Sequence, residues 1–342
     1  MADGMANRKV PAEEIVDRLI AIQARIRDSV IETMSNQSTE ALSSVAAETS
    51  GDTIYAIDRV SEDLVRDLFA EAFSDTTIVV VGEGLEEGGE VFSLESSSEE
   101  ARYRAIVDPI DGTRGLMYEK RSAWVLIGVA ENRGEATNLT DIFAAVQTEI
   151  PTSKQWRSDV LSAIKGKGAE VFGVNVLTGE RVDVTLTPSR SDTIEHGFAM
   201  ISRFFPGGKD ILSKVEEELA EALIGPIQSG KARLFEDQYI CTGGQFYELM
   251  AGHDRFNADL RPNLESVIAE RGQSLGICCH PYDVCTELIA REMGIHISKP
   301  DGAPLDAPLD TTSPIAWVGY ANRQLRDSIE PIFTTLLSRH GL

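Results

Sequence analysis

Apolar residues return along this chain at two different spacings. Over 11–34 they fall at Ile15, Leu19, Ile22 and Ile26, steps of three and four that predict an amphipathic helix opened by Glu13 and Glu14. A second helix is predicted over 58–73, with its stripe at Val60, Leu64, Val65, Leu68 and Phe69. The run Thr77-Ile78-Val79-Val80-Val81 is β-branched and stopped by Gly82, which predicts a buried strand delivering Glu83. Ala105-Ile106-Val107 predicts a strand delivering Asp108 in the same way. A third strand is predicted over 123–130 and a hairpin over 170–184, turning near Thr178-Gly179. After Pro188 come a predicted strand at 197–201, a charged helix at 210–223 and an apolar helix at 242–251. An amphipathic helix over 282–294 begins at Asp283 and stops at Gly294. The change of pattern predicts an N-terminal α+β domain over 1–185 and a C-terminal α/β domain over 186–342. Two units suit 342 residues at roughly 100–200 per domain.

Charge narrows the partners. Lys and Arg total 32 against 55 Asp and Glu, a net charge of -23, so attraction to a nucleic-acid polymer or an anionic membrane is not expected. Cations are the natural partners, although excess acid also serves solubility alone. The stretch 83–100 holds seven acids and no Lys or Arg, which predicts a mobile, solvated loop. Cys241, Cys278, Cys279 and Cys285 include no Cys-x-x-Cys pair, which fits a reduced cytoplasmic setting. The opening MADGMANRKVPAEE has no long apolar region, and no run approaches 18 apolar residues, so neither export nor membrane insertion is expected.

The chemistry concentrates in Asp108-Pro109-Ile110-Asp111-Gly112-Thr113, between a predicted strand and a predicted helix. Chance would produce these six residues in order on the order of once in a hundred thousand chains of this length. Pro109 stiffens the turn so that Asp108 and Asp111 can point into one site, with the Ile110 carbonyl as a further hard oxygen. Two such carboxylates repel each other. A hard divalent cation resolves the repulsion, and an all-oxygen set suits magnesium, or manganese in its place, better than zinc. Gly112 permits close approach of backbone N–H groups, and the following helix start favours a phosphate.

With these residues the sequence resembles the inositol monophosphatase-like family of metal-dependent phosphatases along nearly its whole length. Gly51-Asp52-Thr53-Ile54-Tyr55-Ala56-Ile57-Asp58 resembles the family segment ending in an aspartate that orients the catalytic threonine. Val80-Val81-Gly82-Glu83-Gly84 resembles the strand with its metal-ligating glutamate. Thr242-Gly243-Gly244, followed by Glu248-Leu249-Met250-Ala251-Gly252, resembles the small-residue segment that opens the sugar pocket. Tyr282-Asp283-Val284 resembles the last metal aspartate, and Lys165-Gly166-Lys167-Gly168-Ala169 a structural hairpin entry.

The resemblance implies an α-β-α-β-α layered sandwich, with magnesium held by Glu83, Asp108, the Ile110 carbonyl, Asp111 and Asp283. It implies direct attack of water, positioned and deprotonated by Glu83 and Thr113, with Asp58 orienting the Thr113 hydroxyl. Substrate contacts fall to Asp111, Gly112, Thr113, Gly243, Gly244 and Asp259. The implied substrate is a small sugar or polyol phosphate such as inositol monophosphate, and the implied assembly is a homodimer. Fructose-1,6-bisphosphate, histidinol phosphate and 3′-phosphoadenosine 5′-phosphate share the same catalytic core, and a non-catalytic cation-binding homologue is the reading of another class. Three features depart from the family pattern: Gly84 stands where a second glutamate is usual, His280-Pro281-Tyr282 replaces a common tryptophan, and an insertion separates Asp259 from Asp283.

Singly, Asp283 reads as a helix cap, Asp58 as a turn residue and Glu83 as a loop acid; together they read as a site. Gly82, Gly84, Gly88 and Gly89 fail the dinucleotide spacing. His280 reads as structural rather than as a ligand, and Cys278 and Cys279 as small buried hydrophobes. Arg203 has two readings, a contact to a second phosphate or carboxylate of the substrate, or a surface ion pair.

Overall fold

The chain enters its fold through α1 (Ala12–Asn36), whose stripe Ile15, Leu19, Ile22, Ile26 and Val30 is buried. The computed structural model describes residues 8–48, 53–86, 88–92 and 97–342. A short helix, α2 (Thr39–Leu42), and the paired strands β1 (Val45–Glu48) and β2 (Thr53–Tyr55) lead into α3 (Ala56–Ala72). Next come β3 (Ile78–Gly82), β4 (Glu90–Phe92), β5 (Tyr103–Asp111), α4 (Thr113–Met117), β6 (Ala123–Glu131), β7 (Ile142–Ile150), β8 (Arg157–Ile164), β9 (Ala169–Asn175) and β10 (Arg181–Val182).

The strands from β3 to β10 form one sheet in the order β10-β9-β8-β7-β6-β5-β3-β4. Its neighbours are antiparallel except β3 and β5, which run parallel. This exception brings the carboxyl ends of β3 and β5 to the same edge, and so places Glu83 beside the acidic motif.

Alternation along the strands divides the sheet's side chains between two cores. Val107, Val125, Ile127 and Val146 pack under α1 and α3, against residues such as Leu19 and Phe69. Ile106, Trp124, Leu126 and Leu161 face the C-terminal half. Each such side chain, taken fully out of water, contributes about 1.5–3 kcal/mol, so packing rather than helix propensity holds α1 in place.

That half contains β11 (Phe198–Ile201), α5 (Lys209–Ile224), α6 (Thr242–Met250), β12 (Asp254–Asp259), α7 (Glu265–Ala269), α8 (Glu287–Glu292), β13 (His296–Ser298), β14 (Trp317–Tyr320) and α9 (Arg323–His340). Its sheet has the order β11-β12-β14-β13. Helices α6 and α8 lie between the two sheets, touching β6 and β7 on one side and β12 and β13 on the other, while α5 and α9 cover the far face. The layers are therefore helix, sheet, helix, sheet, helix, a mixed α+β fold.

Several elements differ from the sequence expectations. The strand expected at 105–107 continues to Asp111 by pairing with β6, and Pro109 is tolerated in it because β3 stops pairing at Val107 and asks no ladder bond of the proline on that side. The helix expected over 282–294 is instead a 3₁₀ turn, Pro281–Val284, followed by α8, with Gly294 in the left-handed region after it. Within the expected acidic loop, Glu90–Phe92 pair with β3 as β4, while residues 87 and 93–96 lie outside the described residues.

Candidate metal centre

Asp108 and Asp111 are three apart, and in a regular strand that spacing would send them to opposite faces. Asp108 pairs with Leu126 but Asp111 with Trp124, three residues of β5 against two of β6. This bulge turns both aspartates toward the C-terminal half. Within it the Ile110 N–H donates to Asp108 Oδ1 at 3.0 Å, and the Thr113 hydroxyl donates to the Ile110 carbonyl at 2.8 Å. Gly112 sits in the left-handed region (φ 98°), and a Cβ there would lie 2.9 Å from Cys241 Cβ. α4, which it caps, has only five residues.

From the opposite half, α6 aims its first turn at Asp111. The Gly243 N–H donates to Asp111 Oδ2 at 2.5 Å and the Thr242 N–H to Oδ1 at 3.3 Å. These are helix N-terminal donors with no partner inside the helix, which favours a carboxylate there. Space at 243 is tight: a Cβ there would come 2.6 Å from the end of the Leu126 side chain and 3.1 Å from Asp111 Oδ2. Asp283 arrives on the 3₁₀ turn, its Oδ2 accepting the His280 N–H at 2.6 Å. The turn lies against β6 at Gly128, where a Cβ would meet the Cys285 carbonyl oxygen at 2.7 Å.

Carboxylate oxygens of Asp108, Asp111 and Asp283 consequently lie within 4.8 Å of one another. Burial, then the charges of Asp111, Glu83 and Asp283, push the Asp108 carboxyl well above its ordinary range. Burial also pushes Asp111 up to about 6, against the pull of its bonds to Gly243, Cys241 and Thr242, and raises Asp283 well above its ordinary value. Such mutually repelling carboxylates would hold a hard divalent cation as an all-oxygen set, so the residues fit the ion the motif implies.

Glu83, half-buried, lines the same cleft, as do Ile110, Gly112 and Thr113. Asp58 occupies the first turn of α3; Gly51 and Asp52 of its motif lie outside the described residues. Gly243 and Gly244 are buried rather than on the cleft wall: the first holds Asp111 and the second packs on Tyr239, whose ring would be 2.3 Å from an added Cβ. Arg203 is likewise away from the cleft. Its guanidinium bonds Glu216 at 2.6 Å and Glu236, so the ion-pair reading describes it, in a largely buried rather than a surface position. Asp259 is fully buried and holds Arg261 through two bonds, Nε to Oδ1 at 2.9 Å and Nη2 to Oδ2 at 2.6 Å. The His280 ring sits 3.1 Å from the Ser313 carbonyl oxygen, a structural contact.

Two charged cleft residues went unpredicted. Arg261 lies over the rings of Phe204 and Phe205 at 5.2 and 5.5 Å, and Arg114 over Tyr55 and Phe205 at 5.5 and 5.4 Å. Both arginines line the cleft with the acids. Arg114 directly follows the motif, and its position there was the available signal; Arg261 opens the insertion, where sequence gives no bearing.

A family model described as the inositol monophosphatase family matches residues 12–231. The structure of the extragenic suppressor protein suhB from Bartonella henselae is similar, with a TM-score of 0.63 at 16% identity, covering 93% of this chain and 98% of that one. Fructose-1,6-bisphosphatase from Leishmania major gives 0.61 at 15% identity, over 96% and 93%. The Thermotoga maritima IMPase gives 0.57 at 17%, over 95% and 99%. At these identities the likeness is one of fold. A comparison with curated protein sequences finds no match.

Proposed function

The chain belongs to the inositol monophosphatase family, a family of metal-dependent phosphatases, and from that premise we propose that it is a magnesium-dependent phosphomonoesterase acting on a small sugar or polyol phosphate such as inositol monophosphate. The observation that carries this reading is the convergence of Asp108, Asp111 and Asp283, from two halves of the chain, in a cleft that also holds Glu83 and Thr113.

In this reading Glu83, Asp108, the Ile110 carbonyl, Asp111 and Asp283 would hold magnesium. Bound divalent ions acidify water and offset charge on the leaving oxygen. Glu83 and the Thr113 hydroxyl position the attacking water, with Asp58 orienting Thr113; the Glu83 carboxylate takes up the water's proton, which returns to the departing alcohol oxygen. The water oxygen bonds to phosphorus as the ester P–O bond breaks, releasing inorganic phosphate and the alcohol. Backbone N–H groups of Gly112 and Thr113 hold the phosphate. A cytoplasmic homodimer belongs to the same reading; four unpaired thiols support the reduced setting, and no helix among the described residues is long and apolar enough to cross a membrane.

Arg114 and Arg261 favour a second reading, an ester carrying another anionic group, such as fructose-1,6-bisphosphate or 3′-phosphoadenosine 5′-phosphate. Phosphate release from a panel of mono- and bisphosphates, with magnesium and with chelator, tests both. Metal-dependent release from inositol monophosphate is expected; release from no ester would leave a cation-binding homologue. If a bisphosphate is preferred, Arg114→Ala should raise its KM about tenfold, the loss of one charge-assisted contact of roughly 1.4 kcal/mol, and barely alter that of a monophosphate.

A further inference from the structure

Gln147 is a neutral amide in the middle of β7, fully buried. Asp108 pairs with Leu126, Leu126 with Gln147, and Gln147 with Leu161, so these four residues form one row across the sheet, on the face toward the C-terminal half. From its place in that row Gln147 makes two bonds, each to a segment that completes the acidic centre. Its Nε2 donates to the Gly243 carbonyl at 2.7 Å, and its Oε1 accepts the Thr286 hydroxyl at 2.9 Å. The Gly243 N–H is the group that holds Asp111 Oδ2, and Thr286 follows Asp283 by three residues in a fully buried position.

Folding energetics alone give little reason for this residue. Two neutral hydrogen bonds contribute about 0.5–1.5 kcal/mol each, and replacing a buried polar pair by apolar groups of the same shape is close to neutral. What an apolar side chain could not do is fix two separate segments at once. The α6 N-terminus and the Asp283 turn are 40 residues apart in sequence, counted from Gly243 to Asp283. The carboxylates they bring together repel. A spacer anchored in the rigid sheet opposes that repulsion.

We propose that Gln147 is a positioning residue: through Gly243 and Thr286 it sets the separation of Asp111 and Asp283, and thereby the affinity of the centre for a divalent ion. The proposal rests on the metal-dependent reading above. Manganese provides a direct probe, since its binding is followed by electron paramagnetic resonance without turnover. Gln147→Met keeps the length and removes both bonds, and should weaken manganese binding about tenfold, the lower end of what partners of metal ligands contribute. The magnesium concentration giving half-maximal phosphate release should rise in proportion, with kcat at saturating metal changed less than about threefold and the melting temperature in chelator lowered by a few degrees, because the Gly243 carbonyl and the Thr286 hydroxyl lose their partner. Thr286→Val should show a smaller loss in the same direction, and adding it to Gln147→Met should cost little more, because the two share a bond. Manganese affinity within twofold of wild type in folded Gln147→Met overturns the proposal, as does a lowered melting temperature with affinity kept. If Gln147→Met does not fold, unchanged affinity in Thr286→Val overturns it. Wild-type protein that binds no manganese and releases no phosphate overturns the metal-dependent reading itself.

Discussion

Asp108 can be replaced by its isosteric amide without losing the bond from the Ile110 N–H, since Asn retains an accepting oxygen. What Asn removes is charge. Asp108, buried beside Asp111, Glu83 and Asp283, binds its proton more tightly in the folded chain than in the unfolded one. A carboxyl raised in this way lowers stability as pH climbs past its ordinary value, and the penalty is complete above its folded value. Metal-free Asp108→Asn should therefore melt a few degrees above wild type at pH 8, with the gap closing toward pH 4, while phosphate release is lost. Thermal scans in chelator across that range check it; a lower melting temperature at pH 8 would mean that the charge is not the burden inferred. At this scale the sequence was informative wherever chemistry is local. The motif named Asp108 and Asp111, whereas the cradle for Asp111 depends on Gly243, whose neighbours Leu126 and Asp111 are more than 100 positions away.

Between elements, contacts turn on places where a side chain would not fit. Gly128 on β6 admits the Cys285 carbonyl, and a backbone oxygen cannot step aside as a flexible side chain can. Gly128→Ala should shift the turn carrying Asp283, weaken magnesium binding about tenfold and destabilise the fold by about 1–3 kcal/mol. Gly115→Ala is the control, since its nearest neighbour outside the helix would be Arg121 Cβ at an ordinary 3.5 Å, so both properties should stay close to wild type. Calorimetric titration with magnesium and thermal scans measure the pair. Strands with an unbroken apolar run, such as β3, were legible, and so was the stripe of α1. β7 was not: Gln147, Thr148 and Glu149 are consecutive, polar and buried. The side-chain partners of Gln147 and Glu149 come from elsewhere in the chain, as Glu149 receives the Ser122 hydroxyl at 2.5 Å and the Asp159 N–H at 3.2 Å. Such a run has neither alternation nor apolarity to betray it.

Across the whole molecule, two halves meet over an acidic centre that burdens the fold when no cation is present. Magnesium at about 100 times its dissociation constant should add about 2.7 kcal/mol of stability, a rise of about 4 °C in melting temperature. Because burial pushes Asp111 up to about 6 and lifts Asp108 and Asp283 well above the ordinary carboxylate range, protons compete with the ion at low pH. The gain should be larger at pH 8 than at pH 5, and scanning calorimetry with and without magnesium would reveal an opposite trend. The layered architecture was legible through the family resemblance, but the insertion that delivers Arg261 was not, because its path depends on the buried pair with Asp259. One further property comes with the arrangement. Trp124 stands opposite Asp111 in the ladder, buried, its indole N–H on the Tyr239 hydroxyl at 3.1 Å. The molecule thus carries its own fluorophore one strand away from the aspartates, and light absorbed there is well placed to excite a luminescent lanthanide seated in the cleft.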